Sequence, residues 1–235
     1  MKRSLVAILL SFIMLLGTMA WATAEEDSVE RLQKSANVLK EIMAAPDKGI
    51  PEEVLDSAKC IMVVPNLIKA GFIVGGKHGR GVASCRTATG WSAPAFVSVG
   101  GGSWGLQIGA EGIDLVMLVM NDKGLQDLLS SKFQISGEGS AAAGPVGRHA
   151  SAGTDWKMDS ELLTYSRSKG IFAGLTLEGA VIEQDVDSTT AIYGKDIPFK
   201  RILSGGVKPP APAALFMAAV QMASHKAAVH EAKEQ

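Results

Sequence analysis

Short apolar runs separated by clusters of glycine constrain residues 59–109 more than any other feature constrains this chain. Runs rich in β-branched and aromatic residues and bounded by glycine are typical of antiparallel strands joined by tight turns. The runs are Ile61–Val64, Phe72–Val74, Ala95–Val99 and Leu106–Ile108, and the breaks are Gly75–Gly76, Gly79, Gly81 and Gly100–Gly102. Because glycine inside strands marks bends and bulges, the pattern predicts an α+β fold with a strongly curved antiparallel sheet, barrel-like or a sandwich.

The same segment is one-sided in charge. No acidic residue occurs between Asp56 and Glu111. The basic residues of this interval are Lys59, Lys69, Lys77, Arg80 and Arg86. In a chain whose formal net charge is −1, this asymmetry predicts a face that meets anions. A nucleic-acid partner is disfavoured, because a domain that binds nucleic acid strongly is basic overall.

The first 24 residues have the pattern of a secretory signal peptide. Lys2 and Arg3 form a positive n-region, residues 5–16 form an apolar h-region, and residues 22–24 have the A-x-A form of a cleavage site. An uncleaved N-terminal anchor is the alternative, although the apolar segment is short for a permanent span. We predict an exported protein, periplasmic or associated with the envelope, whose mature chain begins at Glu25 and carries 21 basic and 24 acidic residues.

The mature chain is predicted to form one domain over residues 25–204 and a tail over residues 205–235. An apolar stripe at alternating three- and four-residue steps predicts an N-terminal amphipathic helix over Glu25–Ala45, with several short helices to follow. This stripe either packs on the sheet, which we favour, or lies on a membrane surface. Residues 205–212 are typical of a Pro/Gly linker, and residues 213–233 predict an Ala-rich helix.

The chain contains two cysteines, Cys60 and Cys85. In an exported protein an even number of cysteines favours a disulfide. Two buried free thiols are the alternative, because cysteine packs well as a small hydrophobic residue. The cysteine and histidine spacings match no zinc motif, so neither a metal site nor a cofactor is predicted.

Two motifs resemble catalytic or nucleotide-binding signatures but lack their context. Residues 71–77 satisfy G-x-x-x-x-G-K, yet His78 replaces the Ser or Thr that holds magnesium, and no helix is predicted to follow. Residues 101–105 satisfy G-x-S-x-G with Ser103 at the nucleophile position, but the sequence that follows is too rich in glycine to begin a helix. A serine hydrolase that uses Ser103 is therefore only a remote alternative, and no enzyme is predicted.

Longer stretches of the chain resemble the SYLF domain family. The stretches are NLIKAGFIVGGKHGRGVASCRTATGWSAPAFVSVGGGSWGLQIGAE at 66–111, DLVMLVMN at 114–121, AAAGPVGR at 141–148 and YSRSKGIFAGLTLEGA at 165–180. Together the matches extend over roughly residues 30–205 in the order expected of the family. The resemblance implies a lipid-binding module, since eukaryotic members bind phosphoinositides and some bind actin.

The resemblance and the charge pattern together predict a non-enzymatic module that binds anionic phospholipid at a bacterial envelope membrane. A scaffold protein that binds another envelope protein is the alternative. The hairpin predicted around residues 162–181 adds Arg167 and Lys169 to the cations of the acid-free segment, and Trp91 and Trp104 are candidates for interfacial contact. The predicted lipid-binding residues are Lys69, Lys77, Arg80, Arg86, Arg148, Arg167, Lys169, Trp91 and Trp104.

Overall fold

The structure is a computed structural model that describes residues 2–45, 49–71, 74–104, 109–135, 141–144, 161–168, 171–174, 177 and 179–234. Its described helices are α1 (Lys2–Ala44), α2 (Glu52–Ser57), α3 (Asp122–Leu129), α4 (Val186–Tyr193), α5 (Phe199–Leu203) and α6 (Ala214–Glu234), with a 3₁₀ turn at Ala211–Ala213. In the part of the chain that these ranges describe, no helix combines the length and the apolar character needed to cross a membrane.

Ten strands form one mixed, strongly curled half-barrel sheet, which confirms the predicted α+β class. The strands are β1 (Cys60–Gly71), β2 (Val74–Thr87), β3 (Gly90–Trp91), β4 (Ala95–Trp104), β5 (Gly109–Val119), β6 (Lys132–Gln134), β7 (Ala141–Ala143), β8 (Leu162–Ser168), β9 (Ile171–Gly174) and β10 (Val181–Gln184). Their order is β6-β10-β4-β2-β1-β5-β8-β7, with β3 on β2 and β9 on β8. The pairings are antiparallel except for β7 with β8.

The sheet separates two hydrophobic layers. One surface, the α1 face, carries Ile61, Val82 and Phe96 and is covered by α1, α2 and α6. The other surface, the α3 face, carries Met62, Ala83 and Val97. It packs against α3, α5, Leu177 and Ala180. The centre of the apolar stripe of the amphipathic helix, which consists of Leu32, Ala36 and Leu39 at 1% exposure or less, is buried in the first layer. The sheet-packed interpretation of this helix is therefore confirmed.

The first helix differs from its predicted bounds. It begins at Lys2 and runs without interruption to Ala44, whereas the apolar stripe predicted a start at Glu25. Several short helices follow, as predicted. Helix α2 begins at Glu52 with Pro51 at its N-cap, and helix α4 is capped by the side chain of Asp185 at its start and by Gly194, whose φ is +72°, at its end. Parts of the predicted strands at 72–74 and 106–108 lie outside the described residues.

An irregularity in β1 changes which side chains reach each face. The pairing of β1 with β5 shifts register between Val64 and Leu67, and Asn66 adopts a φ of +51° there. A bulge of this kind re-aims the side chains that follow it. Val64 and Leu67 both lie on the α3 face, so the bulge places Lys69 on the α3 face and Ile68 on the α1 face.

Two glycines of β2 are required because atoms of β1 lie too close to leave room for a side chain. A Cβ atom at Gly81 would lie 2.2 Å from the carbonyl oxygen of Val63, and one at Gly79 would lie 2.8 Å from the side chains of Val64 and Leu67. Gly75 and Gly76, which the sequence analysis treated as a break between strands, instead lie inside β2. The prediction of a turn at these two positions is wrong, because Gly75 and Gly76 are paired with Gly71 and Ala70 of β1.

The predicted disulfide is present. Cys60 and Cys85 are paired across β1 and β2 with 3.9 Å between their Cα atoms, and both are buried. The backbone hydrogen bond from Arg86 N to Lys59 O makes them a non-hydrogen-bonded cross-strand pair, the arrangement in which opposite side chains lie closest. The prediction of a disulfide is confirmed in place of two free thiols.

Candidate functional site

On the α1 face, one end of the sheet extends beyond its helical cover, and Ile68, Ala70, Gly76, His78 and Gly102 are exposed there. We call this part the open end; it comprises residues 68–71 of β1, 75–78 of β2, 100–104 of β4 and 109–112 of β5. The main chains of these strands are paired, and four- and five-residue stretches with few large side chains meet here. The open end therefore brings together the glycine clusters and part of the predicted cationic surface.

Two lysines lie side by side on the α3 face of the open end. Lys69 is directly opposite Lys77 in the β1–β2 pairing, and it is directly opposite Glu111 in the β1–β5 pairing. Like charges directly opposite each other destabilise a strand pair. Partial burial lowers the pKa of Lys69, and the nearby charge of Glu111 opposes that shift. Lys69, Lys77 and Glu111 are thus neighbours on the α3 face.

Lys77 lies deeper than Lys69. Its side chain is 8% exposed, and its Cε lies 3.3 Å from the position that a Cβ of Gly101 would occupy. The missing side chain at Gly101 therefore leaves room for the aliphatic stem of Lys77. A lysine in such a position can bury its stem and direct its ammonium group toward the boundary with solvent.

Arg80 lies on the α1 face, next to a buried ion pair. Arg31 of α1 binds the carboxylate of Asp185 at 2.9 Å, and Arg80 Nε lies 3.8 Å from the same carboxylate. Burial lowers the pKa of Arg31, against the opposing effect of Asp185, although an arginine remains charged. Burial by itself would raise the pKa of Asp185, but hydrogen bonds from Ser188 and the charge of Arg31 hold that pKa below its usual value.

Arg86 stabilises the fold through contacts with α2 and Trp91. Its Nε donates to the carbonyl of Ala58 and its Nη2 donates to the carbonyl of Leu55, so it caps the end of α2. The guanidinium also lies 4.8 Å from the ring centroid of Trp91. The indole Nε1 of Trp91 in turn donates to Ser224 Oγ on α6. Both residues are thus engaged within the fold, away from the open end.

Arg167 joins β8 to β5 and α1. Its Nε donates to the carboxylate of Asp114 at 3.0 Å, and it also forms an ion pair with Glu41 of α1. The remaining predicted residues, Arg148, Lys169 and the side chain of Trp104, lie outside what the structure describes.

The described cations of the predicted surface do not share one face. Lys69 and Lys77 lie on the α3 face, whereas Arg80, Arg86 and Arg167 lie on the α1 face. The alternation of strand residues would have placed Lys69 on the α1 face if β1 were regular. Ile68 and His78 are exposed on the α1 face of the open end, although neither is among the predicted lipid-binding residues. The Pro65-Asn66 dipeptide was the available signal of a bulge.

The described residues do not contain the contexts that the two short motifs require. Residues 75–77 of the phosphate-loop motif lie in β2, and β2 continues to Thr87 with no helix after the lysine. Ser103 lies inside β4, which continues through Trp104, so the sharp strand-to-helix turn of a nucleophile elbow is absent there. Among the described residues, no group of three or more His, Cys, Asp or Glu side chains is placed to hold a metal ion.

Comparison with protein families identifies the family of this chain. The model of the Ysc84 family, described as "Las17-binding protein actin regulator", matches residues 100–223, more than half of the chain. The chain belongs to the Ysc84 family. This is the SYLF family that the sequence motifs resemble.

Several curated proteins are similar to this member of the Ysc84 family. SH3 domain-containing YSC84-like protein 1 of Homo sapiens is 32% identical over 188 residues, which cover 77% of this chain and 55% of that protein. Protein YSC84 of Saccharomyces cerevisiae is 34% identical over 191 residues, which cover 77% of this chain and 40% of that protein. SH3 domain-containing protein PJ696.02 of Schizosaccharomyces pombe is 39% identical over 168 residues, which cover 70% of this chain and 39% of that protein.

The chain spans about half or less of the length of these relatives. The family description is that of a binding and regulatory protein, and none of these names is that of an enzyme. The comparisons therefore support a non-enzymatic binding module.

Proposed function

We propose that this protein is a non-enzymatic module that binds the headgroups of anionic phospholipids at a bacterial envelope membrane. The open end of the sheet is the binding surface, and Lys69 and Lys77 are the residues that meet the headgroup. The signal-peptide pattern of residues 1–24 supports placement at the envelope.

The register of Lys69 and Lys77 is the observation that carries the proposal. The bulge at Asn66 turns Lys69 onto the same face as Lys77, and the pairing of β1 with β2 holds the two residues directly opposite each other. Such an arrangement costs stability in the strand pair, and an anion bound beside both ammonium groups would offset that cost. Each basic side chain near an anionic membrane contributes about 1 kcal/mol of attraction.

The surroundings of the two lysines agree with a membrane ligand. The described part of the acid-free segment places no carboxylate on β1, β2 or β4, and Glu111 on β5 is the acidic residue directly opposite Lys69. Arg80, whose side chain is 52% exposed, adds a cation on the α1 face of β2. Attraction can therefore exceed the repulsion expected from the overall net charge, because local charges dominate within the screening length of about 8–10 Å.

Co-sedimentation with vesicles tests the proposal. Wild-type protein should bind vesicles that contain phosphatidylglycerol more strongly than vesicles of phosphatidylcholine alone, and the difference should shrink as salt is added. The variant Lys69→Gln/Lys77→Gln should lose most of this binding. The matched control Lys200→Gln/Lys208→Gln removes the same charge from two exposed positions away from the open end and should bind like the wild type.

Binding to another protein is the second candidate function. Relatives carry names such as LAS seventeen-binding protein 3 of Saccharomyces cerevisiae, and α6 exposes Leu215 and Met222 by 53% and 55%. These residues are seven positions apart, so they lie on one side of the helix. If this candidate is correct, Leu215→Glu/Met222→Glu abolishes a complex isolated from the envelope, while Lys69→Gln/Lys77→Gln leaves that complex intact.

A further inference from the structure

Three glycines on the α1 face of the open end have no role in the packing of the described chain. A Cβ atom at Gly102 would meet nothing within 4 Å, one at Gly76 would lie 3.9 Å from its nearest neighbour, and one at Gly100 would lie 4.0 Å from its nearest neighbour. None of the three has a positive φ. Glycine in a strand costs stability relative to alanine, so the described contacts and backbone of the fold do not account for these residues.

The glycines on the opposite face of the same strands behave differently. A Cβ atom added to Gly81 would lie 2.2 Å from the carbonyl oxygen of Val63, and one added to Gly101 would lie 2.8 Å from the carbonyl oxygen of Gly179. A Cβ atom at Gly79 would lie 2.8 Å from two buried side chains. Gly79, Gly81 and Gly101 on the α3 face are therefore required by internal packing, whereas Gly76, Gly100 and Gly102 on the α1 face leave bare backbone toward the outside. Bare backbone of this kind permits close approach of a ligand.

Ile68 stands beside these glycines without cover. It is 48% exposed, and among the large hydrophobic side chains that the structure describes as exposed it is the one that lies on the sheet. Its cross-strand neighbours are Gly112 on β5 and His78 on β2, and His78 is opposite Gly100 on β4. We call the surface of these strands the glycine platform; it consists of Ile68, Ala70, Gly76, His78, Gly100 and Gly102.

The helical cover stops just before the platform. Arg31 of α1 is joined to Arg80 of β2 through Asp185, and Glu41 of α1 is joined to Arg167 of β8. Ten helical residues rise about 15 Å, and the three strand spacings from β2 to β8 span about 14 Å. Helix α1 therefore crosses the sheet at the level of Arg80, and Ile68 and His78 lie beyond it.

We propose that an acyl chain of an anionic phospholipid lies on the glycine platform when the open end meets a membrane. This inference rests on the proposed function, because the lysines of the opposite face would hold the open end against the headgroups. The flat surface over Gly76, Gly100 and Gly102 admits a hydrocarbon chain at close range, and Ile68 supplies an apolar side chain next to it. Burial of apolar groups of this size is favourable.

Charge favours a phospholipid over a second copy of this chain on the platform. The charged side chain next to the platform on β2 is Arg80, which is 52% exposed. Arg80 shares the carboxylate of Asp185 with Arg31, so two guanidinium groups meet one carboxylate there. Two copies that face each other would bring their cations together, whereas an anionic leaflet complements them.

The experiment fills the platform without disturbing the fold. Gly102→Val and Gly76→Val add side chains where the described chain leaves space, and valine favours strands, so the melting temperature should stay the same or rise. Both variants should bind phosphatidylglycerol vesicles about tenfold or more weakly than the wild type, because they exclude several buried methylene groups. Ala218→Val, at an exposed position on α6, is the control and should bind normally.

A spin label provides a direct reading of the contact. The two cysteines of the chain are joined in the disulfide, so Ile68→Cys introduces a single thiol that can carry a nitroxide. On vesicles the label at position 68 should become accessible to oxygen and protected from a polar nickel reagent. A label at Val186→Cys, which is 45% exposed on α4, should remain accessible to the nickel reagent.

The outcomes separate this inference from the proposed function. If the wild type binds anionic vesicles and Lys69→Gln/Lys77→Gln does not, while Gly102→Val binds normally and the label at position 68 stays in water, the platform inference is overturned and the headgroup site stands. If the wild type binds no vesicle, both are overturned. If the wild type is a dimer without lipid and Gly102→Val is a monomer, the platform is an interface between copies and the inference is also overturned.

Discussion

Arg31 of α1 and Asp185 at the start of α4 form a buried ion pair, with 2.9 Å between Arg31 Nη1 and the Asp185 carboxylate. The same carboxylate accepts hydrogen bonds from the backbone N–H and the hydroxyl of Ser188, so Asp185 caps the start of α4. The guanidinium lies 5.7 Å from the ring centroid of Phe96. One residue of α1 is thereby fixed to α4 and β4 together, and this contact positions the helix across the sheet.

The first prediction concerns the loss of one partner of this pair. Arg31→Ala should destabilise the protein by about 3–5 kcal/mol, because it leaves the buried carboxylate of Asp185 without its main counter-ion. Chemical denaturation followed by circular dichroism measures the change. Lys34→Ala, which removes the exposed pair with Glu30 on the same helix, should cost less than about 1 kcal/mol. Equal effects of the two variants would contradict the assignment.

The second prediction is the pH dependence of this contact. The pKa of Asp185 is held below its usual value in the folded protein, so its contribution is present above the carboxyl pKa of the unfolded chain, about 3.9, and is lost as the pH falls through the folded pKa. Asp185→Asn should therefore be less stable than the wild type at pH 7 and should lose less stability between pH 5 and pH 3. Parallel pH curves for the two proteins would show that Asp185 does not titrate in this way.

The third prediction concerns the disulfide. Cys60 and Cys85 enclose a separation of 25 residues, and a loop of this size contributes about 3 kcal/mol to stability in the chain-entropy model. Cys60→Ala/Cys85→Ala should lower the free energy of unfolding by that amount without changing the secondary structure. Mass spectrometry of the unreduced protein checks the bond itself, and two free thiols in the native protein would contradict it.

The fourth prediction compares two glycines of the same strand. Gly81→Ala should cost about 1–3 kcal/mol, because its Cβ would overlap the backbone of Val63. Gly76→Ala should leave stability unchanged or raise it by up to about 1 kcal/mol, since its Cβ has space and alanine loses less entropy on folding. Thermal unfolding of both variants measures the two changes in stability. A large loss of stability in Gly76→Ala would contradict the space that the structure shows around Gly76.

The sequence predicted the parts of the fold that depend on local pattern. Glycine breaks and apolar runs indicated the curved sheet, and the apolar stripe indicated the part of α1 that packs on it. The pairing of Arg31 with Asp185 was not predictable, because the two residues are 154 positions apart and neither lies in a distinctive motif.

The candidate surface was predictable in composition but not in geometry. The absence of acidic residues between Asp56 and Glu111 singled out the strands that form the open end. Which face each cation occupies depends on strand parity, and one bulge at Asn66 reverses that parity for Lys69. Arg86 and Arg167 were equally basic in the sequence, but tertiary contacts with Ala58 and Asp114 engage them within the fold.

The salt-dependent difference in vesicle binding between wild type and Lys69→Gln/Lys77→Gln tests the central claim most directly. With phosphatidylglycerol vesicles at low salt, we expect the double variant to bind about tenfold or more weakly, as the loss of two charges worth about 1 kcal/mol each requires. The difference should diminish in high salt as the charges are screened. Binding that is equal for both proteins, or equal for anionic and neutral vesicles, would contradict the claim that the open end of the sheet binds anionic phospholipid.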